Sequence, residues 1–591
     1  MLIRAALAML LLLAAAAWAQ PQQAAFDLVV RAPGPLRELL ERNLELRRYR
    51  DVSDLDDAEI ARLIVLADKD ARELLATQGY FAPQVSIARE SGPRTRLVVD
   101  VQPGERTRVR GVDIAFEGDI ATSTDTDALA QRQTIVGGWE LPVGRPFAQA
   151  PWDQAKAVAT RQLLARRYPA GRISYSLADV DAATASAQLG LRLDSGALFR
   201  LGPVRVTGVE RYDPLLVPRL ARLPEGSIYD QEKIVQAQIR LAGSGYFDSA
   251  FIFVDPQSDP LAAPVQVTVR EAPLQKVVLG LGFSTDGGPR ASVEHTHNRL
   301  PVIGWRAVTK LQAEQKNPYL QTEWIAIPDA SGWRWSVLAR GERLDDDRLV
   351  THSQRLRMGR FQNGDRIDRN MYVQYERATV DNPRNVQLTP LDTGTGSAIT
   401  GNYLWTGRYF DDLRLPTSGY GVGLELGGGL TLGNVRQPFQ RTVVRWLGFR
   451  PLASGRLQLR AEAGAVLARR NATIPATQLF RTGGDTTVRG YKFLDIGVPL
   501  PGGFIGPGRY LTVESLEWQR PILRGGRRTE FEHTLFVDAG AVADQIGDLR
   551  AKVGIGTGVR WRSPVGPVEG AIAYGVQARR FRLHFSAGFV F

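Results

Sequence analysis

The chain has 591 residues, 74 basic against 62 acidic for a net charge of +12, with 44% apolar residues, 59 glycines, 11 tryptophans and no cysteine. The length exceeds one ordinary domain, and the lack of cysteine excludes disulfides and thiolate metal sites. Glycine and tryptophan at this level suit a β-barrel better than a helical protein.

At the N-terminus, Arg4 precedes an apolar run from Ala5 to Ala17, and Ala17-Trp18-Ala19 has the small-x-small cleavage pattern. Residues 1–19 are therefore expected to be a secretory signal peptide. No cysteine follows the apolar run, so lipoprotein attachment is not expected. Beyond it no uninterrupted apolar run approaches the roughly 18 residues of a transmembrane helix. An exported chain of this kind spans a membrane only as a closed barrel. Its basic surface then suits anionic lipid headgroups or lipopolysaccharide, and no nucleic acid is expected as a partner.

Three segments share one pattern: Ala71–Ile87 (ARELLATQGYFAPQVSI), Ala159–Leu177 (ATRQLLARRYPAGRISYSL) and Ala237–Val254 (AQIRLAGSGYFDSAFIFV). Each reads as the end of an amphipathic helix, a break at Tyr80, Tyr168 or Tyr246, and an alternating strand. Gly79 and Gly245 sit where a helix end favours a left-handed residue; Arg167 in the second copy is a weaker stop. Closing strands are predicted at Arg96–Val101, Gln188–Leu193 and Val265–Val269, and opening strands at Val109–Phe116 and Val204–Val209. The recurrence implies a tandem array of α+β domains of roughly 75–90 residues each.

From about Leu274 the helical period disappears. Alternating stretches recur, as at Val277–Phe283, Gly419–Leu430, Leu457–Leu467, Val553–Trp561 and Ala571–Val576. Allowing roughly 20 residues per strand and turn, this region holds about 16 antiparallel strands. The final segment, Phe581–Phe591, puts Phe581, Leu583, Phe585, Ala587, Phe589 and Phe591 on one face, and Arg582, His584, Ser586, Gly588 and Val590 on the other. That is the signature of a terminal barrel strand. By the same parity, if Leu535 and Val537 face lipid, Asp538 points into the lumen, and Glu517 does so between Leu516 and Trp518.

The strongest local motif is Thr482–Phe493 (TGGDTTVRGYKF), followed by Phe536-Val537-Asp538-Ala539-Gly540. With the tandem domains, the pair resembles the outer-membrane insertase and two-partner-secretion superfamily, in which POTRA domains precede a 16-stranded barrel. Asp411–Tyr420 (DDLRLPTSGY) and Ser563–Gly570 (SPVGPVEG) are similar to the family as well. The resemblance implies that Val488-Arg489-Gly490-Tyr491 is the tip of a loop folded back into the lumen. Arg489 would be its anchor, with Glu517 and Asp538 as receptors on barrel strands. A guanidinium suits this because it makes bidentate, charge-assisted bonds that lysine cannot copy.

Three POTRA units make the chain most similar to the TamA branch of that superfamily. The domains implied are 20–103, 104–198 and 199–272, then a barrel over 273–591. The implied function is outer-membrane protein assembly or translocation, with unfolded outer-membrane proteins as clients and a TamB-type inner-membrane-anchored protein as partner. A lateral seam would lie between a first strand near Lys276–Phe283 and the last strand, involving Val277, Leu279, Leu281, Gly588, Phe589 and Phe591. Gly588 is a candidate kink. The competing readings are a pore dedicated to one exoprotein and a passive channel.

No covalent chemistry and no cofactor are expected. A G-x-S-x-G nucleophile turn and the glycine patterns of nucleotide sites are absent from the sequence. His295 and His297 share a strand face without an identifiable third ligand, so they read as polar wall residues.

Overall fold

The computed structural model describes residues 26–52, 55–91, 95–382, 386–413, 415–433, 435–563 and 566–590. The expected signal peptide and Phe591 lie outside the described residues. The chain forms two compact units, one of residues 1–207, 223–238 and 251–267, the other of residues 208–222, 239–250 and 268–591.

The first module comprises β1 (Asp27–Arg31), helices Gly34–Asn43, Leu46–Tyr49 and Asp57–Thr77, then β2 (Gln84–Glu90) and β3 (Arg96–Gln102). The long helix starts where the Asp56 carboxylate accepts the Glu59 amide, and it buries Ile60, Leu63, Ala67, Ala71 and Leu75 at three- and four-residue spacing. That stripe meets Leu97, Val99 and Val101 of β3 in one core. The sheet order is β1-β3-β2, with β1 parallel to β3.

The second module repeats the plan with β4 (Arg108–Glu117), helices Asp119–Thr122, Thr126–Gly137 and Gln149–Leu164, β5 (Arg172–Asp181) and β6 (Ser186–Asp194), in the order β4-β6-β5. Gly79 ends the first module's helix at φ +89°, and in the second module Arg167 adopts φ +66° instead. A side chain in that region is strained. Arg167 is held there by donating to Asp125 Oδ2 at 3.1 Å, and its amide and carbonyl bond Tyr229 and Phe199 at 2.9 Å each. Tyr168 beside it is fully buried and donates to Asp119 Oδ2 at 2.8 Å. Burial and the Asp119 carboxylate push its phenol up to about 12.

The third module has β7 (Leu201–Thr207), helices Leu216–Ala221 and Gln231–Gly243, β8 (Phe247–Val254) and β9 (Ala263–Glu271), again ordered first, third, second. Its opening strand starts earlier than the expected Val204, and it ends before Gly208 at φ +87°. Glu271 ends β9 and accepts the amides of Glu210, Arg211 and Tyr212 at 2.8–3.0 Å, plus Arg211 Nε at 3.1 Å. Burial alone would raise its pKa, but the Tyr212, Arg211 and Glu210 amides hold it below the usual carboxylate value.

The barrel follows at once. Its strands are β10 (Gln275–Ser284), β11 (Gly288–His297), β12 (Arg306–Glu314), β13 (Tyr319–Ile325), β14 (Trp333–Asp345), β15 (Val350–Asn363), β16 (Ile367–Asp381), β17 (Gly396–Phe410), β18 (Gly419–Thr431), β19 (Pro438–Leu452) and β20 (Gly455–Ala468). A long loop carrying a short hairpin, β21 (Val498–Leu500) and β22 (Phe504–Gly506), leads to β23 (Tyr510–Arg524), β24 (Arg527–Ala543), β25 (Lys552–Ser563), β26 (Gly566–Gly575) and β27 (Arg580–Val590). Sixteen antiparallel strands close by pairing β10 with β27, and β21 and β22 stay outside the wall. Alternation sorts the side chains: Phe581, Leu583 and Phe585 point outward while His584 is buried. No helix among the described residues is long and apolar enough to cross a membrane. The end of the barrel at which β10 starts is its module end, named for the module that precedes β10 in the chain, and the opposite end is its loop end.

Candidate functional site

The β20–β23 loop turns into the barrel, where Val488 and Tyr491 join a core with Phe439, Val443, Val466, Phe480 and Val513. Between them Arg489 is 7% exposed. Its Nε and Nη2 donate to Asp538 Oδ2 and Oδ1 at 2.7 and 3.0 Å, a two-pronged pair, and its own amide donates to Oδ2 at 3.1 Å. Nη1 donates to Glu517 Oε2 at 2.8 Å. The guanidinium carbon sits 3.3 Å from the centre of the Phe536 ring, which adds a cation–π contact.

Alternation places these receptors. Glu517 on β23 and Asp538 on β24 are buried, whereas Leu516, Leu535 and Val537 on the same strands are exposed outward. Ser515 Oγ donates to Asp538 Oδ1 at 2.7 Å, and Gln519 Nε2 to Glu517 Oε1 at 2.8 Å. Each carboxylate is therefore held by further donors, as a buried charge requires. Arg560 on β25 bridges Glu517 and Glu569, at 3.2 and 3.0 Å, and extends the network to β26. Sequence reasoning did not single out Arg560 or Glu569. Their only signal was inward parity, and Glu569 lay inside the flagged stretch Ser563–Gly570.

Gly490 is required by geometry. Its φ is +93°, a Cβ there would fall 2.8 Å from the Gly575 amide nitrogen, and its own amide donates to His584 Nε2 at 2.8 Å. Tyr491 donates to Gln577 Oε1 at 2.6 Å. The tip thus reaches β23 and β24 through Arg489, β25 through the Tyr491 hydroxyl, which also donates to the Val553 carbonyl at 3.3 Å, and β26 and β27 through Gly490.

The seam is narrower than the expected residue set. Among the described residues β10 pairs β27 from Gly280↔Val590 through Leu281↔Phe589, Gly282↔Gly588 and Phe283↔Ala587 to Ser284↔Ser586. Leu281, Gly588 and Phe589 lie in that ladder. Val277 and Leu279 instead sit on the stretch Gln275–Leu279, which pairs with β11 and has no β27 partner among the described residues. Among the described residues β27 is staggered against β10 and meets its loop-end half. Phe591 lies outside the described residues. His295 and His297 are on β11, with ring centres 6.5 Å apart.

Residues 348–591 match the Omp85 superfamily domain. Among curated proteins the chain is 25% identical over 392 residues to outer membrane protein assembly factor BamA of Nitratidesulfovibrio vulgaris, covering 63% of this chain and 48% of that protein. The chain thus spans about half the length of the curated relative it matches. Among solved structures it resembles BamA from Haemophilus ducreyi lacking POTRA domains 1–3, with a TM-score of 0.57 and 16% identity over 82% of this chain and all of that one. That likeness concerns the fold: modules ahead of a sixteen-stranded barrel. The likeness to the Omp85 superfamily domain thus covers the C-terminal part of the chain, from residue 348 to 591.

Proposed function

We propose that this chain is an outer-membrane assembly or translocation factor of TamA type, working without covalent chemistry. The observation that carries the reading is the seam. Among the described residues β10 offers Gln275–Val278 as a strand edge without a β27 partner, beside a ladder of five residue pairs. An incoming client strand carries backbone N–H and C=O groups, each costing several kcal/mol if left unpaired in hydrocarbon, on the order of ~4–8 kcal/mol for transfer to an alkane. A free strand edge accepts those groups one by one and templates the new strand.

The three modules would lie in the periplasm, where their sheet edges receive unfolded outer-membrane proteins and dock a TamB-type inner-membrane-anchored partner. The basic surface suits lipopolysaccharide and other anionic headgroups. Deleting residues 20–198 is expected to leave an inserted, folded barrel that no longer delivers clients. Client levels at the cell surface are the readout, and normal levels in that deletion would contradict the proposal.

A further inference from the structure

One polar cluster is not part of the Arg489 network. Asp485, four residues before Arg489, sits against both sides of the seam. Thr285, in the β10–β11 turn, donates its hydroxyl to Asp485 Oδ1 and Oδ2 at 2.9 and 3.0 Å, and the Asp286 amide donates to Oδ2 at 3.3 Å. In return the Asp485 amide donates to Asp286 Oδ2 at 2.5 Å. On the other side, Asp485 Oδ1 bonds His584 Nδ1 of β27. His584 Nε2 accepts the Gly490 amide, so the ring proton is on Nδ1 and points at Asp485.

The cluster is closely built. Gly484 has φ +109°, and a Cβ there would come within 2.2 Å of Asp286 Oδ2, so only glycine lets the loop approach the turn. Thr285 also meets β27 through its backbone, its amide donating to the Phe585 carbonyl at 2.9 Å while its hydroxyl accepts the Phe585 amide at 3.2 Å. His584 is 6% exposed, and the Asp485 side chain 10%. These contacts lie just beyond Ser284↔Ser586, the loop-end limit of the seam ladder.

We propose that Asp485 and His584 are a latch by which the folded-in loop holds the β10–β11 turn and β27 together at the loop end of the seam. The inference rests on the seam reading given above and adds a direction to it. With the loop end latched, the ladder from Gly280 to Ser284 opens from the module end, where Gln275–Val278 pairs with β11 and has no β27 partner among the described residues. Asp485 and His584 are positioning residues: they set which end of the seam yields.

The chain has no cysteine, so seam pairing can be read by cross-linking. Leu281→Cys with Phe589→Cys places two thiols directly opposite across the seam. Val293→Cys with Leu311→Cys does the same across β11–β12 as a control. The full-length protein is oxidised in membranes and the rate of disulfide formation measured. Asp485→Ala and His584→Ala are expected to slow the seam disulfide by roughly five- to thirtyfold, the change that one or two kcal/mol brings. His584→Gln, which still accepts the Gly490 amide and donates to Asp485, restores much of the rate, and the control pair is unaffected. An unchanged seam rate in both alanine variants overturns the latch. A parallel fall at the control pair overturns it too, because Asp485 would then stabilise the whole barrel. Client delivery measured on the same strains separates the two ideas: a latch effect without any effect on clients leaves the latch standing and removes the assembly reading.

Discussion

Two stretches of the same barrel wall are built in opposite ways. β23 and β24 pair along almost their whole length, from Tyr510↔Ala543 to Arg524↔Arg527, with one irregularity between Pro521 and Leu523. Their inner face carries Glu517 and Asp538, both clamped by Arg489. β10 and β27 share five pairs among the described residues, with glycines at opposite positions, Gly282 and Gly588. The backbone chemistry is identical in both, so the difference lies in ladder length and in what the lumen side attaches. Separating β23 from β24 also breaks buried ion pairs. Separating β10 from β27 costs a short ladder and the contacts at its loop end. A barrel that must open in one place needs this contrast.

Substitutions at the loop tip break the comparison most strongly. Arg489→Ala leaves Glu517 and Asp538 buried without their guanidinium, and removing one partner of a buried pair costs about 3–5 kcal/mol. The loop should then leave the lumen and the thermal unfolding temperature of the barrel should fall, with Arg489→Lys recovering only part because an ammonium cannot form the two-pronged pair. Equal stability of wild type and both variants would show that the network does not anchor the loop.

Gly490→Ala should have a smaller effect, since it forces a side chain into a sparsely populated backbone region at a cost of about 1–3 kcal/mol. Its Cβ also meets the Gly575 backbone. Greater protease access to residues 482–493 is the measurement, with no change expected at the β23–β24 hairpin.

The smallest effect is expected away from both stretches, at Glu271. Its folded pKa is depressed, so its contribution to stability is complete above the unfolded-state pKa and is lost as pH falls through the folded value. Acidification below about pH 4.3, the ordinary glutamate value, should therefore destabilise wild type more than Glu271→Gln. Thermal melts across that range test this, and parallel pH profiles would remove Glu271 from the account.

How far the sequence speaks depends on the range of the information. The module helices and most strands are local patterns, so the three breaks at Tyr80, Tyr168 and Tyr246 and the alternation after Leu274 locate them. β1 gave no such signal, being a five-residue DLVVR stretch with no partner nearby in sequence. Strand parity pointed Glu517 and Asp538 inward, while Arg489 as their partner came from the family resemblance, and the structure brings the three together. Arg560 went unnamed because an inward arginine is common in a polar lumen. The stagger of β10 against β27 and the meeting of Asp485 with His584 join residues roughly 100 to 300 positions apart, and no periodicity encodes such a register.

Two disulfide locks measured side by side show whether the seam is the edge that must open. One disulfide joins Leu281→Cys to Phe589→Cys across the seam, and the other joins Leu516→Cys to Val537→Cys across β23–β24. Residues opposite each other in an antiparallel pair lie about 4.5–5.5 Å apart at Cα, within disulfide reach. Oxidising the seam pair is expected to stop client delivery, reduction to restore it, and the wall pair to have no effect in either state. Undiminished delivery through a fully oxidised seam would contradict that expectation.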